Sequence, residues 1–241
     1  EAAAVLARPL QTRGRRALGS ELLAALEFAG GRALAGYGHL EEAEALGLDR
    51  QELGVWRSLV SLYGLGDERV EAYPLPRRRP AAAAEQRVWV RDTWLHGAVG
   101  LQVGDQAPAR TAARQLTTIP DDTPVGVLAS ALAAGLRGEL ALAAGDTTLA
   151  LDELRGAVRR YDELALYSAW ETLPYYRYKL AQLEASQGNH AAAARVLRSF
   201  EDRSLGDVLF RKRAYLALGS ALEAMGEASQ ASAAYAAAAR W

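Results

Sequence analysis

The sequence predicts an all-α protein, an α-solenoid of antiparallel helical hairpins, and three observations carry that prediction. First, half of the 241 residues are hydrophobic while only 7% are aromatic. The excess is alanine and leucine, which lose least on entering a helix, and the β-branched residues that suit strands are sparse. Second, a turn-type glycine recurs at Gly30, Gly66, Gly104, Gly145, Gly188 and Gly226, at intervals of 36, 38, 41, 43 and 38 residues. Glycine just past a helix end enters the left-handed region without a Cβ clash and so satisfies the last carbonyls. Third, small residues recur at matched places. Ala109, Ala150, Ala193 and Ala231 lie five residues after a turn glycine, and Gly97, Gly138, Ala181 and Gly219 lie seven before it. These pairs let two helices joined by the turn approach closely.

Along the chain, residues 1–73 read as degenerate helical hairpins. A helix over 2–7 is followed by a break at Pro9 and by helices over 18–29, 39–46 and 50–63. Glycines 30, 31, 36, 38, 47, 54, 64 and 66 make these shorter and looser. Ala35 keeps the small position after Gly30, but Glu71 and Leu59 occupy the matched places around Gly66. Residues 74–80 form a Pro/Arg-rich linker or loop, because Pro74, Pro76 and Pro80 remove donors and push their neighbours to extended angles.

Residues 81–241 carry four hairpin repeats. The first opens with one long helix over 81–103, with Trp89, Val90, Leu95, Val99 and Val103 among its larger apolar positions. Residues 117–124 form a loop around Pro120, Pro174 is placed to start a helix, and Asp207 opens the first helix of the last hairpin. Asp67, Asp105, Asp146, Asn189 and Glu227 each follow a turn glycine, where an acidic or amide side chain suits the positive end of the next helix. Gly31 breaks this rule at the first turn.

In the last hairpin, the order Tyr215, Leu218-Gly219, Leu222, Gly226, Ala231, Tyr235, Ala238 resembles a tetratricopeptide repeat. The proline that usually closes the second helix is missing there, although Pro120 stands near that place in an earlier repeat. The intervals also exceed the family's usual length of about 34 residues, implying longer helices or loops. The resemblance implies a right-handed superhelix whose first helices line a concave groove that binds a peptide or partner helix. Carried over by position, the groove residues are Arg91, Trp94 and Ala98, then Leu132, Gly135 and Glu139, then Tyr175, Tyr178 and Gln182, then Arg213, Leu216, Ser220 and Glu223. Ala98, Glu139, Gln182 and Ser220 take the place of the family's clamp asparagine, so a terminal-carboxylate ligand is not expected; a mixed aromatic and polar ligand fits better. Trp94, Tyr175 and Tyr178 suit partner contact or packing between hairpins.

Charge and motifs narrow the function. With 28 basic and 29 acidic residues the net charge is −1, which gives no global field for nucleic acid or an anionic membrane. The local clusters Arg13, Arg15 and Arg16, Arg77 to Arg79, and Arg211-Lys212-Arg213 read as solvated surface or linker charge. No run reaches the roughly 18 to 20 uncharged apolar residues of a membrane span; the longest mild stretch is 123–136. His39 with Glu42 has helical i, i+3 spacing, but no second such pair completes a metal site, and His96 and His190 stand alone, the latter expected to be solvated beside its turn. The glycine-rich run from Gly97 to Gly104 ends a helix and is no phosphate loop. No metal, cofactor or catalytic machinery is therefore expected.

The reading is a non-catalytic protein–protein interaction scaffold that binds a peptide or partner subunit in its groove or assembles into a larger complex. Self-assembly through Trp241 is an option. The alternative is the regulatory or sensory region of a larger bacterial protein whose effector domain lies before Glu1, the chain starting as a processed or truncated product. Arginine far outnumbers lysine, present only as Lys179 and Lys212, and with the alanine excess this suggests a GC-rich bacterial genome. The absence of cysteine fits both the cytoplasm and the cell envelope.

Overall fold

The computed structural model describes residues 13–66, 70, 72–76, 78–164, 173–200 and 205–241. Among them there are eleven helices and no strand. The chain divides into two compact units, Glu1–Val70 and Glu71–Trp241.

The first unit holds α1 (Arg13–Ala29), α2 (Ala33–Ala45) and α3 (Arg50–Leu62), with α1 and α2 packed as a hairpin. The residues expected to form a helix over 2–7 and a break at Pro9 lie outside the described residues. Two turn glycines are displaced from their expected places: the left-handed residues are Gly31 (φ +76°) and Gly64 (φ +59°), not Gly30 and Gly66. Both α1 and α2 start earlier than residues 18 and 39; in α2 this is because Gly36 and Gly38 lie inside the helix rather than breaking it. Gly36 is there for packing. A Cβ at this position would lie 2.8 Å from the fully buried Phe28 ring, a contact that outweighs the intrinsic helix penalty of glycine, about 1 kcal/mol. Asp49 caps α3 by accepting from the Glu52 amide at 2.9 Å.

The second unit contains α4 (Ala83–Gln102), α5 (Gln106–Leu116), α6 (Pro124–Ala143), α7 (Thr147–Leu164), α8 (Leu173–Ser186), α9 (His190–Arg198), α10 (Leu205–Ala224) and α11 (Ala228–Ala238). They pair as four hairpins, α4/α5, α6/α7, α8/α9 and α10/α11, and each second helix packs against the first helix of the next hairpin. The lengths beyond a usual repeat sit in the helices: α4, α6 and α10 each run 20 residues and α7 runs 18.

The four hairpin turns are built alike. Gly104, Gly145, Gly188 and Gly226 take φ between +78° and +86°. The next residue's amide reaches back five residues, from Asp105 to Gly100, Asp146 to Ala141, Asn189 to Glu184 and Glu227 to Leu222, each at 2.9 Å. This satisfies carbonyls the helix end would leave unpaired. Asp105 and Asp146 also cap the following helix through their side chains. Asn189 and Glu227 do not; the Asn189 amide instead donates to Glu184 at 2.9 Å, while Arg155 of α7 donates to the other oxygen of the same carboxylate at 2.8 Å. One buried glutamate thus joins a hairpin turn to the preceding repeat.

The matched small residues meet where the helices cross. A Cβ on Gly97 would lie 3.1 Å from Ala109 Cα, and one on Gly138 would lie 3.4 Å from the Ala150 carbonyl oxygen. Gly219 differs, since the nearest group to its missing Cβ is the Tyr235 ring, at 2.4 Å.

Helix α6 is the one described helix long and apolar enough to cross a membrane by length and composition, extending the mild stretch noted at 123–136. Eleven of its residues are buried, so within this fold it is the central core helix of the unit. Its start is fixed by Thr123, whose hydroxyl accepts from the Gly126 amide at 3.1 Å. A Cβ at Gly126 would stand 1.7 Å from the Pro120 carbonyl oxygen, a backbone atom that cannot swing away. Gly126→Ala is therefore expected to lower unfolding free energy by about 1–3 kcal/mol, read from urea denaturation; an unchanged midpoint would contradict this loop geometry.

Candidate partner-binding face

Helices α4, α6, α8 and α10 are the first helices of the four hairpins, and the thirteen positions expected to face a groove divide sharply by burial. In α4 and α6, Trp94, Ala98 and Leu132 are at most 1% exposed, Arg91 is 7% exposed and Gly135 is buried. Arg91 Nε donates to Asp92 Oδ1 at 3.0 Å inside the protein. Trp94 Nε1 donates to the hydroxyl of Tyr176, two hairpins further on, at 2.7 Å. Its ring meets those of Tyr175 and Tyr176 edge-on, with centroids 6.1 and 6.2 Å away. Gly135 makes the crossing possible, because a Cβ there would lie 2.1 Å from the Tyr176 ring.

Arg91, Trp94 and Tyr175, expected at groove positions, are instead buried, and for Trp94 and Tyr175 this is the packing between hairpins that their aromatic character also suited. At Gly135, where α6 carries no side chain, the Tyr176 ring of α8 passes over α6 and reaches Trp94 of α4. Tyr176, missed from sequence, completes the cluster. The only signal for it was the aromatic density of residues 175–178.

Beside this cluster, Glu139 Oε2 accepts from the Tyr175 hydroxyl at 2.9 Å and pairs with Lys179 Nζ at 3.3 Å, and Lys179 lies 5.1 Å above the Tyr175 ring. Glu139 Oε1 is buried without a hydrogen-bond partner. Burial outweighs the pull of Lys179 and the Tyr175 hydrogen bond and raises the carboxyl above its ordinary value of 4.5. A carboxyl whose folded pKa is raised binds its proton more tightly when folded. Its stabilising contribution is present below about pH 4.5 and is lost as pH rises through the folded pKa. The wild type should therefore lose stability relative to Glu139→Gln between acid and neutral pH. A pH-independent gap in urea midpoints would contradict this.

The remaining expected positions, on α8 and α10, are accessible. Tyr178 is half-buried against Phe210, with centroids 5.5 Å apart, and burial raises its hydroxyl pKa against the opposing charge of Arg213. Gln182 and Ser220 are exposed, Arg213 is half-buried and Leu216 is 46% exposed. Glu223 is exposed but accepts from the Tyr235 hydroxyl at 2.7 Å. Residues 175, 178 and 182 on α8, and 213, 216, 220 and 223 on α10, have the spacing of single helix faces, and the two helices pack together.

A second feature missed from sequence lies behind this face. Arg177 and Asp207, each at most 1% exposed, form an ion pair between α8 and α10. Arg177 also donates to the carbonyl and hydroxyl oxygens of Ser199, each at 3.0 Å, and lies 4.4 Å from the Phe200 ring centroid.

Elsewhere, His39 sits 3.4 Å from Glu42 on an exposed helix face, and His96 Nδ1 is 2.6 Å from the Tyr73 carbonyl oxygen. His190, expected to be solvated, has its Nδ1 buried without a partner at the start of α9. Among the described residues no group of three or more His, Asp or Glu converges as a metal site. Trp241 folds back beneath the Arg211 guanidinium, 4.9 Å away. No protein-family model and no curated protein matches the chain. Among solved structures, the crystal structure of MamA protein is similar over 64% of this chain and 73% of its own, at 20% identity and a TM-score of 0.40.

Proposed function

We propose that residues 81–241 are four tetratricopeptide-like repeats, wound as a right-handed superhelix, that act as a non-catalytic interaction scaffold. A peptide or partner subunit is held against the face of α8 and α10, not along the whole series of first helices. The observation supporting this is the exposure of Leu216, 46%, among Gln182, Arg213 and Ser220 on a face where neighbouring positions of α4 and α6 are sealed. An apolar contact ringed by groups that donate and accept hydrogen bonds is the composition of a small interface centre. Tyr178, half-buried and supported by Phe210, adds an aromatic edge that needs little ordering on binding.

The test compares photo-cross-linkers placed at Leu216 and at Leu149 in the full chain in its native cell. Leu149 is similarly exposed, 48%, but lies on the second helix α7. Adducts are expected from position 216 and not from 149, and Leu216→Asp should abolish co-purification of the same partner. Equal adducts at both positions, or none at 216, would defeat the reading.

A further inference from the structure

Between α5, the second helix of one hairpin, and α6, the first helix of the next, a cavity of about 320 Å³ is lined by Arg110, Ala113, Arg114, Thr117, Arg137 and Leu140. Its charges are unequal in status. Arg137 is neutralised by a two-pronged bond to Glu153, with Nε to Oε1 at 2.7 Å and Nη2 to Oε2 at 2.8 Å. Arg110 is held by the neutral Gln106 side chain at 2.6 Å. The Arg114 side chain is exposed and has no hydrogen-bond or ion-pair partner among the described residues. Arg110 and Arg114 are one helical turn apart, where like charges destabilise a helix, and no acidic side chain in the lining offsets them. Below them the floor is apolar, made of buried Ala113 and half-buried Leu140.

We infer that this cavity is a binding site for an acidic peptide segment, taking carboxylates on Arg110 and Arg114 and an apolar side chain on the Ala113 and Leu140 floor. Guanidinium groups pair with carboxylates through two parallel hydrogen bonds, stronger and more directional than neutral ones. The cavity is large enough for one side chain and its neighbours, at the small end of ligand sites. A second cavity, of about 620 Å³, is lined by Arg78, Arg79 and Glu85 among others. Arg79 Nη1 donates to the Thr118 carbonyl oxygen at 3.4 Å, tying that cavity to the same turn that carries Thr117.

The lining argues against other anions. It offers no aromatic ring on which a nucleobase would stack. The site does not depend on the α8 and α10 face, and either can stand without the other.

Fluorescence anisotropy of the full chain with a labelled Glu-Glu-Leu-Glu-Glu peptide tests the assignment, with Gln-Gln-Leu-Gln-Gln as the uncharged control. Saturable binding that weakens with salt is expected for the acidic peptide alone. Arg114→Glu and Arg110→Glu should each weaken it about tenfold or more, Arg79→Glu should weaken it less, and Arg195→Glu on α9 should leave it unchanged. Helical circular dichroism confirms folding of each variant; should a charge reversal unfold the chain, Arg114→Gln carries the comparison. The proposal is overturned if the peptide does not bind saturably or if Arg114→Glu binds as the wild type does. It is also overturned if a poly-dT oligonucleotide or phosphatidylserine vesicles bind more tightly with the same arginine dependence.

Discussion

Replacing Trp94 with alanine is expected to lower unfolding free energy by about 3–5 kcal/mol, the range for removing a large aromatic from a packed core. Trp94 has no exposed surface and touches Tyr175 and Tyr176 through ring edges. Its loss leaves a cavity beside the Tyr175 and Tyr176 rings. It also removes the hydrogen bond that Trp94 Nε1 donates to the Tyr176 hydroxyl at 2.7 Å, and the loss of a buried hydrogen bond adds to the penalty. For a unit of this size the change corresponds to roughly 6–20 °C in Tm, read by thermal melting. Trp94→Phe keeps the ring contacts and loses the hydrogen bond, and should cost about 1–2 kcal/mol. A Trp94→Ala protein with wild-type stability would return Trp94 to the list of partner contacts.

Arg177→Met should be comparably severe, at about 3–5 kcal/mol, because it removes the guanidinium paired with a carboxylate in the interior. Asp207 is fully buried, and Arg177 simultaneously holds the Ser199 carbonyl at the end of α9. One substitution therefore loosens the junction of α8, α9 and α10. The double variant Arg177→Met with Asp207→Leu should recover much of the loss, since replacing both partners of a buried pair by apolar groups is often neutral or better. Chemical denaturation of the two single variants and the double variant forms the thermodynamic cycle. If the single losses simply add in the double variant, the two side chains are not coupled and the ion pair is not what joins the helices.

The helical class and the four turns from Gly104 onward were legible because they are local. A glycine past a helix end, with a small residue on either side at fixed spacing, specifies the hairpin within about a dozen positions. The turn glycines of the first unit were misread by one or two residues, and two of its helix starts by five and six, for the same reason. Gly30 and Gly31 are adjacent, and local chemistry does not say which becomes left-handed, while Gly36 looks like a helix breaker until Phe28 is seen against it. The accessible part of the candidate face, from Gln182 to Ser220, followed from positional matching. The buried part did not, because matching assigns a direction to each helix without stating what lies opposite.

By itself, then, the sequence determined the four glycine turns of the second unit with the helices they join, and the close approach at Gly97 and Gly138, since both depend on backbone freedom and side-chain size at short range. Only the tertiary structure decided which first-helix positions are core and which are surface. Trp94 and Tyr176 are 82 residues apart and Arg177 and Asp207 are 30 apart, and their burial depends on how successive hairpins are rotated against one another. That rotation is set by the summed packing of many side chains across a seam, a property no single spacing encodes.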